Sequence, residues 1–137
     1  MLQLDTVIEL PVSSHEVWAE LTDFSKYPSW NPLITSVSGN WQVGNTVTIT
    51  QNGVDSLSEV LVVKPGKELR WGGRICSGWL FDGEHYFLLT QNGDGTTTVV
   101  HGEKFTGVLV PLMEAKLMKA AKSGLMAMNE AFSKRFS

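Results

Sequence analysis

Cysteine is nearly absent from this sequence: Cys76 stands alone among 137 residues. One thiol cannot close a disulfide within the chain, which fits a reducing compartment and makes the cytoplasm the expected location. Long apolar runs are missing too. The strongest, Phe105–Met113, falls far short of the ~20 residues that span a bilayer and contains Pro111, so no insertion into a membrane is expected. Positive charge is not in excess. The net charge of −3 argues against a nucleic-acid binder, whose footprint is basic. The acidic Met1–Glu9 stretch lacks the plan of a secretory signal. No Gly-x-Ser-x-Gly elbow occurs, and Gly72-Gly73 and Gly93-Asp94-Gly95 lack the strand–turn–helix setting of a phosphate loop or dinucleotide fingerprint. Classical hydrolase, kinase and dehydrogenase chemistry is therefore a poor fit, and no cofactor is implied. What remains is an ordinary folding composition, 42% hydrophobic and 18% charged, long enough for one domain over residues 1–137 with a substantial core.

Leu4, Thr6, Ile8 and Leu10 alternate with Gln3, Asp5, Val7 and Glu9 and predict a first strand that Pro11 ends. Ser13 and Glu16 have the spacing of a capping box, and Val12 and Val17 that of a hydrophobic staple. Val17, Trp18, Leu21 and Phe24 then follow at helical spacing. Pro28 and Pro32 bracket Trp30 and Asn31, so a second short helix should end there. From Thr35 to Thr106 β-rich stretches are separated by turn signals such as Asn52-Gly53, Pro65-Gly66 and Asn92-Gly93-Asp94-Gly95, the pattern of an antiparallel meander. After Pro111 the period returns to that of a helix. Met113, Leu117, Ala120, Ala121, Gly124, Met128, Ala131 and Phe132 form one face, and Lys116, Lys119, Lys122, Ser123, Glu130 and Ser133 the other.

This order predicts an α+β fold: a curved antiparallel sheet of six or seven strands wrapped around a long C-terminal helix, with two short helices after the first strand. Small residues at Ala120, Ala121, Gly124 and Ala131 fill little of the space between helix and sheet, which predicts a cavity.

Three stretches carry a family resemblance: Val17-Trp18-Ala19-Glu20-Leu21-Thr22-Asp23-Phe24, Tyr27-Pro28-Ser29-Trp30-Asn31-Pro32, and His101-Gly102-Glu103-Lys104-Phe105-Thr106-Gly107 leading into the Pro111 helix. With these the chain resembles, over nearly its whole length, the START-related superfamily (SRPBCC) of polyketide cyclases and lipid-transfer domains. The resemblance implies the helix-grip fold and a pocket for a small hydrophobic molecule. It does not name the molecule, because this superfamily includes binders, carriers and enzymes.

Among polar residues the most informative group spans one hairpin. His85, Phe87 and Leu89 share a strand face, as do Val99, His101, Glu103 and Phe105. A turn centred on Gly93-Asp94 would set His85 roughly opposite His101, with Glu103 diagonal to it. Such a cluster lines a ligand site, or satisfies itself internally, or works as an acid–base pair. Zinc ligation by the two histidines and Glu103 lacks a tight ligand spacing such as His-Glu-x-x-His, and no metal site is expected. Trp30 and Asn31 are read either as a pocket rim or as packing; Trp71 and Trp79 are equally open. Met113, Met118, Met126 and Met128 on the last helix suit an adaptable surface or plain core filling, and Leu117 is expected beside them. Cys76 has no histidine partner in sequence that would make it a nucleophile.

Three functions follow from these residues together with what the resemblance implies. The first is binding, with possible transport, of a small hydrophobic, aromatic or lipid-like molecule by a monomer or homodimer. The second is an enzyme like the polyketide cyclases and aromatases, with His85, His101 and Glu103 as its acid–base groups. The third is a protein-interaction module of the same fold.

Overall fold

A computed structural model describes residues 1–73 and 81–137; Cys76 and Trp79 lie outside the described residues. The chain runs β1 (Leu2–Leu10), α1 (Ser14–Leu21), a 3-10 turn (Phe24–Lys26), α2 (Tyr27–Trp30), β2 (Ile34–Ser38), β3 (Thr46–Gln51), β4 (Val54–Lys64), β5 (Glu68–Gly73), β6 (Asp82–Gln91), β7 (Thr97–Thr106) and α3 (Val110–Lys134). The seven strands form one sheet in the order β1-β7-β6-β5-β4-β3-β2, and every pairing is antiparallel. A meander from β2 to β7 is thus closed by β1, which returns to the outer side of β7. Bulges near Thr35 in β2 and Leu61 in β4 shift the register and add the local bend that a curved sheet requires.

Local chemistry accounts for the elements. Ser13 Oγ accepts from the Glu16 N–H and caps α1. Asn52 and Gly53 both have positive φ, as a two-residue turn of mirror-image type demands, and they join Gln51 directly to its partner Val54. The β6–β7 turn is longer than its glycines alone imply. Gln91 pairs with Thr97, and the Asp94 carboxylate accepts from the Thr96 N–H at 3.1 Å. The turn therefore centres on Asp94 rather than between Gly93 and Asp94. His85 lies opposite Glu103, and Phe87 opposite His101. This corrects the predicted pairing of His85 with His101, while the alternation that puts all of them on one face is kept.

The long helix also differs in phase from its predicted face. Ala121, Met128 and Phe132 are buried as expected, but so are Leu125 and Asn129, while Met113 and Ala120 are exposed. Val110 is buried at the helix start, and from Ala121 onward the buried positions run Ala121, Leu125, Met128, Asn129 and Phe132. There the helix comes so close to the α2–β2 connection that a Cβ on Gly124 would lie 2.6 Å from Leu33 Cδ1. Leu125, Met128 and Phe132 are almost wholly buried.

Two apolar clusters result. The larger joins Leu10, Leu21, Leu69, Phe87, Val99 and Phe132 with their neighbours; the smaller joins Leu2, Phe105, Val110 and Ala121. Along β7 the step from one to the other runs Val99, His101, Glu103, Phe105. The polar pair sits at the seam between the clusters.

Candidate functional site

Strand periodicity assembles the site. On β6, His85 and Phe87 point to the concave face. On β7, Val99, His101, Glu103 and Phe105 do the same. Neighbouring strands extend each row: Trp71 of β5 lies beside His85, Leu4 of β1 beside Glu103, and Thr6 of β1 beside His101. The Trp71 ring is nearly parallel to His85 at 4.6 Å between centroids, and Phe87 lies parallel to His101 at 4.2 Å. Each imidazole is therefore held flat against an aromatic neighbour.

A chain of hydrogen bonds crosses this face. His85 Nε2 and His101 Nε2 are 2.6 Å apart, and His101 Nδ1 is 2.6 Å from Asn129 Oδ1. Asn129 Nδ2 donates to Thr6 Oγ1 at 2.7 Å, and Thr6 Oγ1 donates to the His101 carbonyl at 2.6 Å. At the other end, His85 Nδ1 is buried with no hydrogen-bond partner among the described residues. Its nearest acidic oxygen, Glu103 Oε2, is 4.0 Å away.

Burial dominates the electrostatics. It holds His85 well below the ordinary histidine range, with the neighbouring His101 acting in the same direction. It brings His101 down to about 4, against an upward pull from the Asn129 hydrogen bond. It pushes Glu103 up to about 7, against a hydrogen bond with Gln51. At neutral pH both imidazoles are uncharged, and Glu103 is divided between acid and carboxylate. The 4.0 Å approach of Glu103 to His85 is thus not a salt bridge. Nor do the histidines frame a metal: two nitrogens on one zinc ion sit roughly 3.3 Å apart, farther than the hydrogen-bonded separation seen here.

Open space lies on the Glu103 side of the seam. A cavity of about 140 Å³ is lined by Ile49, Ser58, Trp71, Phe81, His85 and Glu103, among others. A second space of about 170 Å³ shares Gln51 and Glu103 with it and is walled by Phe105 and by Leu117, Ala120 and Ala121 of α3. Glu103 stands between the two. A larger groove of about 630 Å³ along Trp30, Ala127 and Lys134 is open to solvent and contains neither buried histidine nor Glu103.

The predicted site residues divide accordingly. Trp71, His85 and Glu103 line the first space, and Glu103, Phe105 and Leu117 the second. His101 is wholly buried behind His85. Phe87, Val99 and Met128 belong to the filled core. The Asn31 Oδ1 accepts from the N–H groups of Leu33 and Ile34 at 2.9 Å each, and its Nδ2 is buried with no hydrogen-bond partner among the described residues. Trp30 stacks on Phe132 at 5.3 Å and faces the open groove. Met113 and Met126 are exposed, as are Lys116, Lys119 and Lys122.

Asn129, Thr6, Gln51 and Phe81 were not foreseen as site residues. Asn129 was hidden by the helix phase: in the true stripe it is the one polar side chain among Ala121, Leu125, Met128 and Phe132, and that anomaly was the available signal.

The sequence matches the family described as polyketide cyclase / dehydrase and lipid transport over residues 1–135. No curated protein sequence matches it significantly. Among solved structures, a START superfamily protein from Mycobacterium smegmatis superposes with a TM-score of 0.72 at 17% identity, covering 98% of this chain and 96% of that one. A protein from Thermobifida fusca gives 0.75 at 16%, covering 99% and 93%. The di-domain ARO/CYC protein BexL, from the BE-7585A biosynthetic pathway, gives 0.73 at 13%, with 96% of this chain matched to 46% of that one. At these identities the likeness is one of fold.

Proposed function

Since the chain belongs to the polyketide cyclase / dehydrase and lipid transport family, we propose that residues 1–137 act as one ligand-binding unit. Its ligand is a compact, largely apolar molecule held between the curved sheet and the first half of α3. The observation that carries this reading is the pairing of aromatic-walled open space with buried polar groups that face into it. An apolar wall supplies affinity through area removed from water, and a few polar atoms fix orientation. Each space is smaller than the ~300 Å³ at the low end of ordinary ligand pockets, so a ligand filling both is the size of one or two small rings rather than a full lipid. The family description includes lipid transport, and a single short acyl segment meets the same limit.

Native mass spectrometry of gently purified protein tests the reading. A defined small-molecule adduct that is lost from Ser56→Phe, which places a ring in the first space, supports it. An adduct that survives this change unaltered contradicts it.

A second reading keeps the same site and adds chemistry. Glu103, titrating near 7, stands opposite an imidazole that is uncharged at that pH. A group poised near the working pH is what general acid–base catalysis requires. In that reading the cavity shapes a ketone-rich substrate, and Glu103 and His85 move a proton during enolisation, ring closure or loss of water. Turnover abolished by Glu103→Gln, with ligand binding retained, favours the enzyme; turnover unaffected by it argues against.

A further inference from the structure

The hydrogen-bond chain behind the cavity has only one consistent arrangement of protons. Thr6 has a single hydroxyl proton. Its oxygen is 2.6 Å from the His101 carbonyl, which can only accept, so the proton lies there. The Asn129 group 2.7 Å from Thr6 Oγ1 must then be the donor, Nδ2. That orientation turns Asn129 Oδ1 toward His101 Nδ1 at 2.6 Å, so His101 carries its proton on Nδ1. A neutral imidazole has one N–H, which leaves His101 Nε2 as a bare lone pair. His85 Nε2 faces it at 2.6 Å and must donate. His85 is then protonated on Nε2, and its Nδ1 is a bare acceptor, buried and without a partner among the described residues.

We propose that Thr6 and Asn129 are positioning residues that lock both histidine tautomers so that His85 presents an unprotonated Nδ1 to the cavity, and that the ligand meets this atom with a hydroxyl or N–H on a flat apolar frame. This rests on the cavity reading above and adds the sense of the polar contact. A buried acceptor with no donor is destabilising until one arrives, so a ligand that donates gains where one that cannot does not. The 4.0 Å between His85 Nδ1 and Glu103 Oε2 is too long for a direct hydrogen bond. One ligand hydroxyl reaches both, donating its proton to the nitrogen and accepting from the protonated Glu103 carboxyl. Trp71, parallel to the His85 ring at 4.6 Å, and Phe81 in the same wall favour a planar frame.

Long-range proton–nitrogen correlation spectra of the labelled full chain, read with phenol and toluene as probes, test this. At pH 7 the expected result is a pyrrole-type Nδ1 and pyridine-type Nε2 for His101, and the reverse for His85. Phenol is expected to bind roughly fivefold more tightly than toluene, the worth of one net hydrogen bond, and to move the His85 Nδ1 resonance. Thr6→Val frees the Asn129 amide to turn; it should average the His101 nitrogen shifts and remove the phenol preference, and Thr6→Ser should restore both. A proton-bearing His85 Nδ1 in the unaltered protein overturns the lock, as do wild-type nitrogen shifts in Thr6→Val. Equal affinity for phenol and toluene overturns the ligand assignment. Failure of both probes to bind overturns the cavity reading and the ligand assignment together, whereas the nitrogen shifts of the free protein judge the tautomer lock independently.

Discussion

The two halves of the concave face are built on the same strands and finished differently. On one side of the seam, Leu89 and Val99 join Met128 and Phe132 in one buried cluster, and Leu125 of the same helix stripe is fully buried. On the other, Trp71, His85, Glu103 and Phe105 face two open spaces and the small side chains Ala120 and Ala121. The same helix covers both halves. It presents Leu125, Met128 and Phe132 to the core and Leu117, Ala120 and Ala121 to the second space. Stability is therefore concentrated in the closed half, and the proposed ligand site lies in the open one.

Truncation in the closed half should have the largest effect. Phe132→Ala is expected to lose about 3–5 kcal/mol in urea unfolding, the range for removing a buried aromatic ring; a loss below about 1 kcal/mol would erase the contrast between the halves.

Glu103→Gln comes next, and its effect depends on pH. Burial raises the Glu103 carboxyl to about 7 in the folded protein, so the native state keeps a proton that the unfolded chain has released. That contribution is full below about 4.5 and is lost as pH rises through 7. Relative to wild type, Glu103→Gln should therefore gain stability between those values, by up to about 3 kcal/mol, and hold a constant advantage above them. The histidines act with the opposite sign. Their folded-state values are depressed, so their contribution is present above about 6.5 and lost as pH falls. The difference between variant and wild type, measured by unfolding at matched pH, isolates Glu103; a pH-independent difference would contradict its raised value.

Ser56→Phe should leave the closed half intact and lower toluene affinity at least about tenfold, or about 1.4 kcal/mol, in calorimetric titration. Met113→Ser lies outside both halves and should change stability by less than about 0.5 kcal/mol and leave toluene binding unchanged.

The strand faces are the most legible part of the molecule in sequence. Strand alternation depends only on a period of two, so the shared face of His85, Phe87, Val99, His101, Glu103 and Phe105 survived an error in the turn. The pairing itself depended on where the turn centres. That was decided by the Asp94 carboxylate taking the Thr96 N–H, a contact that a run of glycines does not announce. The helix face was harder. Alanine and glycine are compatible with either side of a helix, so the spacing counts Met113 inward and leaves out Leu125 and Asn129. Asn31 looked like a ligand contact because it is polar and flanked by prolines, yet its side chain replaces backbone partners that the chain lacks as it enters β2. In sequence Thr6 is only one member of an alternating strand; its role depends on β1 returning beside β7, a long-range pairing outside any local pattern.

The central claim is that the open half, rather than the solvent-open groove at Trp30 and Lys134, is where this protein takes its ligand. A toluene titration followed residue by residue in proton–nitrogen spectra tests it most directly. The account predicts saturable shifts at Trp71, Phe81, His85 and Glu103, with Trp30 and Lys134 unmoved. Shifts confined to Trp30, Ala127 and Lys134, or none at any of these residues, would contradict it.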